Sequence, residues 1–254
     1  MWLHEIYRRE VQCGLTKDTA GPFGARGLLL GTLAGGSPYF VVREGFEVPF
    51  RTRVFVDFWN FQLSWNDHMP QSRQCDWPRL PALFVAQAGT AIKAAGIAET
   101  LNLEETRVYA SYNPARSVEA NLKKWLSDFL DRQAGFRVFT TERKDKRATF
   151  YCRSCKTEFT ECPCCGEPLV RAREKGVDAA IVTDVLSLAW EQAFDVAVLV
   201  SSDVDMIPCV ERLQEKGFKV INASWPGRGH DLARTCWASF DITSIANDLV
   251  RPST

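Results

Sequence analysis

The sequence predicts an α/β protein with a parallel sheet of about five strands, helices on both faces and a small inserted cysteine-rich segment. From residue 51 onward, strand-like segments alternate with segments of helical periodicity, as in layered α/β domains. Two of the strand-like segments, residues 54–56 and 196–200, are apolar without interruption, which is typical of strands covered on both faces. Five of the nine cysteines lie between Cys152 and Cys165, where they interrupt the alternation.

The predicted elements follow one another along a single layered domain over residues 51–250. Strands are expected at residues 54–56, 106–110, 136–139, 196–200 and 218–221, and helices at residues 83–97, 118–130, 177–190, 207–216 and 233–249. The cysteine-rich insertion is expected at residues 148–170. Residues 1–50, which are rich in glycine, are interpreted as an irregular or hairpin-forming N-terminal extension.

The composition shows neither the strong net charge that indicates a highly charged partner nor the long apolar run that indicates a membrane helix. The 254 residues contain 31 Lys and Arg and 31 Asp and Glu, so the formal net charge is zero. No apolar run approaches the roughly 18 residues of a membrane helix. Residues 1–10 include Glu5 and Glu10 and lack the pattern of a secretory signal, so we expect a cytoplasmic protein with no membrane partner.

Acidic residues follow two of the predicted strands. Asp57 ends the first strand and precedes Asn60, whereas Asp203 and Asp205 follow the fourth. Asp178 begins the helix that leads into that fourth strand. Parallel strands place their carboxyl ends at one sheet edge, and clustered carboxylates there are typical ligands of Mg²⁺ or Mn²⁺. Such an ion supports phosphodiester hydrolysis.

A structural alternative exists for each of these acids, because an Asp after a strand or at a helix start often serves as a cap. Asp184 lies six residues beyond Asp178, so one helix cannot aim both side chains in the same direction. Of the five candidate acids, Asp184 therefore fits a shared site least well.

Three segments together resemble NYN domains, a branch of the PIN-like nuclease superfamily. They are residues 53–61, which contain Asp57 and Asn60; residues 174–184, which read Glu-Lys-Gly-Val-Asp through Asp184; and residues 198–208, which contain Asp203 and Asp205. The resemblance implies a five-stranded sheet and metal-dependent RNA cleavage by clustered aspartates. It makes Asp57, Asp178, Asp203 and Asp205 candidate Mg²⁺ or Mn²⁺ ligands, Asn60 a positioning residue and Asp184 a motif acid. This chain has Ser202 and Val204 where the family often has glycine.

The cysteine cluster has the spacing of a zinc ribbon. Cys152 and Cys155 form one Cys-x2-Cys pair, and Cys162 and Cys165 form a second with the Cys-Pro-x-Cys-Gly sequence. Two such turns supply four thiolates to a structural Zn²⁺, with Cys164 pointing away. A redox dithiol fits two such pairs in a loop less well, and spacing leaves an iron–sulfur cluster open.

Basic and aromatic residues surround these cysteines. Residues 141–175 contain nine Lys or Arg and six acids, with Phe150, Tyr151 and Phe159 interleaved. Such a mixture can bind phosphates and stack unpaired bases, although the aromatics could equally pack against the ribbon. Arg153 and Lys156 are the predicted substrate-binding residues.

We therefore expect a metal-dependent ribonuclease whose partner is RNA and whose chain could form a homo-oligomer. The alternative is a noncatalytic RNA- or protein-binding adaptor that retains the fold. A DNA-directed nuclease is a third hypothesis, which the sequence does not separate from the first.

Overall fold

The computed structural model describes residues 49–173 and 176–252, together with the backbone of two strands nearer the N-terminus. Those strands, β1 (Leu29–Thr32) and β2 (Pro38–Val41), pair as an antiparallel hairpin. The chain divides into two units between residues 46 and 47, and the hairpin belongs to the first. Most of the predicted N-terminal extension, residues 1–50, lies outside the described residues, as do residues 174–175 of the family motif.

The second unit contains a six-stranded parallel sheet in the order β12-β11-β10-β3-β4-β5. Its strands are β3 (Phe50–Asp57), β4 (Leu101–Tyr112), β5 (Phe136–Glu142), β10 (Val196–Val200), β11 (Lys219–Ser224) and β12 (Ala238–Asp241). The predicted α/β class with a parallel sheet is confirmed, with one strand more than expected.

Helices cover both faces of this sheet. They are α1 (Phe58–His68), α2 (Leu80–Ala94), α3 (Ser117–Asp128), α4 (Val177–Trp190), α5 (Ile207–Glu215) and α6 (His230–Thr235). Alternate strand residues point to opposite faces: Val54 and Val56 pack with α1 and α2, whereas Phe55 packs with α4 and α5. Two hydrophobic layers therefore hold the sheet between them.

The sequence analysis missed α1, which begins directly after the first strand. Asp57 caps this helix by accepting a hydrogen bond from the backbone N–H of Asn60 at 3.1 Å. Phe58, Phe61 and Trp65 are buried at helical spacing. That periodicity was the available signal.

The predicted helix over residues 233–249 is wrong. The chain instead forms the short helix α6, the edge strand β12 and a 3₁₀ turn at Ile242–Ser244. Residues 238–241 pair with β11, and Phe240 is buried against the core. Sheet pairing and burial therefore outweigh the helical periodicity of this segment.

The insertion between β5 and α4 is a small antiparallel assembly. β6 (Lys144–Arg147) pairs with β9 (Val170–Arg173), and β7 (Phe150–Tyr151) pairs with β8 (Glu158–Phe159). Every residue from 149 to 170 is exposed or half-buried. Among the residues that the structure describes, no helix combines the length and apolar character needed to cross a lipid bilayer.

Candidate active site

Two of the acid-bearing segments leave the sheet side by side. Val56 in β3 lies opposite Val200 in β10, so Asp57 and Ser201 emerge at the same edge. The strand β10 follows α4, so α4 runs back along the sheet and its first turn lies at this edge as well. Asp178 is in that first turn and is exposed. The topology thus brings Asp57, Asp178 and the segment after β10 to one edge.

A hydrogen bond joins the first two strand ends. The Asn60 side-chain oxygen accepts from the backbone N–H of Ser202 at 3.0 Å, across 142 residues of sequence. Asn60 itself stands in the first turn of α1, where its own N–H is held by the Asp57 carboxylate. Asp57 is 8% exposed. Asn60 therefore fixes the position of the loop after β10 relative to Asp57.

The loop after β10 is ordered by its own side chains. Ser201 Oγ accepts from the N–H of Asp203 at 3.2 Å, and Asp203 Oδ1 accepts from the N–H of Asp205 at 2.9 Å. From β11, the Asn222 amide donates to the carbonyl of Ser201 at 2.9 Å. Asp203 is half-buried and Asp205 exposed, and neither forms a salt bridge within the described residues. Two carboxylates are thus presented without a cationic partner there.

The two departures from the family pattern have different surroundings. The Val204 side chain is 50% exposed, so its bulk does not crowd the turn. Ser202, in contrast, is in close contact with Gly229, where an added Cβ would lie 2.7 Å from Ser202 Cα. Gly229 also has a φ of 66°, which favours glycine. The close approach at this edge is provided by Gly229 rather than by a glycine at position 202.

Asp184 is held by the sheet instead of facing the other acids freely. Its Oδ2 accepts from Arg107 at 2.9 Å and from the Tyr109 hydroxyl at 2.8 Å, both on β4. Burial, together with the hydrogen bond to Asp184, raises the pKa of Tyr109 well above its usual range. The ion pair with Arg107 docks the middle of α4 onto the sheet, which sets where the first turn of α4 lies.

A second polar network, which the sequence analysis missed, lies where β4 and β5 end. The buried Glu119 accepts from the Arg143 guanidinium at 2.8 Å and from the N–H of Asn113 at 2.6 Å. Burial opposes ionisation of Glu119, yet these hydrogen bonds hold its pKa below the usual value. Arg116 pairs with Asp145 of β6 at 2.9 Å. The stem of the insertion is therefore tied to the edge of the sheet that presents the acids.

The two Cys-x2-Cys segments adopt the same backbone turn. In the first, the N–H of Lys156 donates to the carbonyl of Cys152 at 2.8 Å, and in the second the N–H of Gly166 donates to the carbonyl of Cys162 at 2.9 Å. Lys156 and Gly166 follow the second cysteine of each pair, and both have positive φ, 60° and 72°. Cys164 lies between Cys162 and Cys165 and is exposed.

Hydrogen bonding favours the thiolate form at one cysteine of each turn. Hydrogen bonds from Thr157 lower the pKa of the Cys155 thiol, and backbone hydrogen bonds from Cys164 and Cys165 lower the pKa of the Cys162 thiol. Over the described residues, however, no three His, Cys, Asp or Glu side chains are arranged closely enough to hold a metal ion. This holds for the aspartates and for the cysteines.

The predicted substrate-binding residues lie on the surface of the insertion. Arg153 and Lys156 are both exposed, and Lys156 Nζ lies 6.0 Å from the centroid of the Tyr151 ring. Phe150 and Tyr151 are about half exposed, at 49% and 53%. Packing against the ribbon therefore does not bury these two rings fully, and both retain surface for a ligand.

Comparisons with known proteins show what this chain is similar to. A search of curated proteins finds no match. A crystal structure of a protein of unknown function from Vibrio parahaemolyticus is similar over 80% of this chain and 97% of its own, with 16% identity and a TM-score of 0.49. The family model for the NYN domain matches residues 51–242, which include all the predicted acidic residues. The chain belongs to the NYN domain family and has the PIN-like nuclease fold of that family.

Proposed function

We propose that this protein is a metal-dependent ribonuclease that hydrolyses RNA phosphodiester bonds at the edge formed by Asp57, Asp178, Asp203 and Asp205. The observation that carries the proposal is the Asn60–Ser202 hydrogen bond, which fixes two acid-bearing strand ends side by side. Membership of the NYN family supports a nuclease. The metal and the roles of the individual aspartates are our inference.

The donor set at this edge fits Mg²⁺ or Mn²⁺. These ions prefer carboxylate oxygens and water, and the acids here are oxygen donors with exposed or half-exposed members. Asp203 and Asp205 have no salt bridge that would neutralise them within the described part of the chain. When bound, the ion would lower the pKa of a water ligand and neutralise charge on the phosphate.

The residues of the chain then have distinct tasks. The aspartates would hold the ion, Asn60 keeps the loop after β10 in register with Asp57, and Asp184 orients α4 through Arg107. In hydrolysis, a water oxygen forms a bond to phosphorus while one phosphorus–oxygen ester bond breaks. The water proton passes to the leaving oxygen, so one product carries a phosphomonoester and the other a hydroxyl group.

We also infer that Cys152, Cys155, Cys162 and Cys165 hold a structural Zn²⁺. The support is the matched backbone of the two turns, including positive φ at Lys156 and Gly166. A segment with no fully buried residue from 149 to 170 has little hydrophobic core to stabilise it, so metal binding would supply the folding free energy. A four-thiolate zinc has no open position and performs no hydrolysis.

We also propose that the insertion binds RNA. Its stem is tied to the sheet edge through Arg116 and Asp145, and its surface carries Arg153, Lys156 and two half-exposed aromatic rings. Cations of this kind bind phosphates and aromatic rings stack on unpaired bases.

The test is cleavage of matched RNA and DNA oligonucleotides with Mn²⁺, with Mg²⁺ and with a chelator. We expect cleavage of RNA that requires the divalent ion and is lost in Asp57→Asn. Cleavage of DNA alone would establish the DNA-directed nuclease instead. RNA or protein binding without cleavage under any condition would establish the noncatalytic adaptor.

Elemental analysis tests the zinc site. We expect one zinc per chain in the purified protein. The zinc should be retained by Cys164→Ser and lost from Cys155→Ser, because Cys155 is one of the four proposed ligands and Cys164 is not. Cys155→Ser should unfold the insertion and leave the sheet folded. Iron in place of zinc, or equal metal loss in both variants, would contradict the assignment.

A further inference from the structure

A groove of aromatic, amide and basic residues runs along the outer side of α1. It has a volume of about 390 Å³ and lies between α1, the segment after it and α3. We call it the tryptophan groove and define it by Trp59, Gln62, Arg73, Trp125 and Arg251. Of the described residues that line it, none is acidic.

The groove begins at the proposed active site. α1 starts one residue after Asp57, and Trp59 stands in its first turn. From Trp59 to Asn66 the helix advances by about 10 Å, which is long enough to accompany a short stretch of extended nucleic acid. The groove and the acidic edge are therefore continuous along one helix.

The indole of Trp59 is held in place. Its ring N–H donates to the carbonyl of Ser111 at 2.6 Å, and the Arg143 guanidinium lies 5.0 Å from the ring centroid. Trp125 packs edge-on against Trp77, with a centroid distance of 6.1 Å. Both groove tryptophans are half-buried, so each keeps surface available to a ligand. Rings fixed in this way lose little conformational entropy on stacking with a base.

The two guanidinium groups of the groove have no carboxylate partner in the part of the chain that the structure describes. Neither Arg73 nor Arg251 pairs with a carboxylate in the described residues; Arg73 donates to the Asn247 side-chain oxygen at 2.9 Å. Gln62 donates to the Asn66 side-chain oxygen at 2.9 Å. The remaining amide groups can donate and accept, as the edges of nucleobases require.

From these observations we propose that the tryptophan groove binds the unpaired RNA strand on one side of the scissile phosphate. The bases would stack on Trp59 and Trp125, and the phosphates would bind Arg73 and Arg251. A peptide is the other class of occupant. RNA is favoured because the groove, over its described lining, offers two guanidinium groups without a carboxylate partner and no acidic side chain, and because it adjoins the acidic edge. The inference rests on the proposed ribonuclease function and extends it to the substrate-binding surface.

The experiment measures binding of a short, unpaired, fluorescently labelled RNA of about ten nucleotides by anisotropy, without added Mg²⁺ or Mn²⁺. Arg73→Ala/Arg251→Ala is compared with Arg212→Ala/Lys216→Ala, which removes the same charge from α5 and its C-cap residue on the opposite face of the sheet. We expect the groove variant to raise the Kd about tenfold and the control by less than about twofold. The slope of log K against log salt should fall by about 1.4 in the groove variant, since two phosphate contacts are lost.

A second pair of variants tests stacking. Trp125→Leu should raise the Kd at least about fivefold, whereas Trp125→Phe, which keeps an aromatic face, should remain close to wild type. Equal affinity of wild type and Arg73→Ala/Arg251→Ala, in a protein that cleaves RNA with Mn²⁺, would overturn the groove proposal and leave a peptide as its ligand. Failure of the ribonuclease function is a separate result, because it would appear as absence of cleavage by the wild type.

Discussion

The strand ends of β10 and β12 have the same local structure but different surroundings. Asp203 follows β10 and Asp241 ends β12, and each caps a 3₁₀ turn by accepting from the N–H two residues later, at 2.9 and 2.8 Å. Their backbone angles agree within a few degrees, with φ of −80° and −86°. A cap requirement therefore accounts for an aspartate at either position.

The difference lies in what the rest of the fold brings to each turn. The turn after β10 is held by Asn60 from α1 and by Asn222 from β11, and it is in close contact with Gly229. It also carries a second acid, Asp205. The turn after β12 is at the edge of the sheet, since β12 is the terminal strand and pairs, among the described residues, with β11 alone. Local sequence thus explains the cap, whereas tertiary position distinguishes a candidate metal ligand from a cap alone.

The largest expected effect is a difference in the rate of RNA cleavage between variants of Asp203 and of Asp241. Asp203→Asn should lower the rate of RNA cleavage by roughly a hundredfold or more, because the amide removes a charge that the cation requires. Asn is also a good capping residue, so thermal stability should change little. Asp241→Asn is the matched control and should cleave RNA at the wild-type rate. Equal rates in the two variants would mean that Asp203 is only a cap.

The next effect concerns the packing that supports the β10 turn. Gly229→Ala should lower the free energy of unfolding by about 2 kcal/mol, because the added Cβ meets Ser202 and the φ of 66° is unfavourable for alanine. Gly227→Ala has a similar φ of 74° but open space around it, so its cost should be roughly 1 kcal/mol. Chemical denaturation measures both. A Gly229→Ala protein no less stable than Gly227→Ala would show that the close contact is unimportant.

The smallest effect tests the caps themselves. Asp241→Ala should cost about 1 kcal/mol of stability through loss of the cap. Asp203→Ala should cost less than this without metal, because its removal also relieves repulsion among the neighbouring acids. Adding Mn²⁺ should widen the stability difference between wild type and Asp203→Ala, since only the intact site gains binding energy. Melting curves with and without Mn²⁺ provide the comparison, and identical shifts in wild type and Asp203→Ala would argue against the site.

Much of the fold could be predicted from sequence because its elements carry strong periodic signals. The helix at residues 177–190 and the strand at residues 196–200 have the predicted bounds, since an all-apolar strand and a helix whose buried residues recur at helical spacing leave few alternatives. The edge strand β12 could not be predicted in this way, because only Phe240 of its four residues is buried. Its conformation depends on pairing with β11, which no local pattern contains.

The candidate site shows the same division. The positions of Asp57, Asp178, Asp203 and Asp205 near one edge follow from the parallel direction of the strands, which the alternation of strands and helices in the sequence indicates. The partners of Asp184 on β4 and the Glu119–Arg143 network join residues far apart in sequence, so spacing rules did not reveal them. A helix cap such as Asp57 can be predicted from the neighbouring sequence, whereas the hydrogen bond from Ser202 to Asn60 cannot.

The most direct test of the proposed metal site is Mn²⁺ binding to the zinc-loaded protein, measured by calorimetric titration or electron paramagnetic resonance. We expect saturable binding by the wild type and by Asp241→Asn, and binding weakened at least about tenfold in Asp203→Asn and in Asp57→Asn. Indistinguishable Mn²⁺ affinity in the wild type, Asp203→Asn and Asp57→Asn would contradict the claim that this sheet edge holds the catalytic metal.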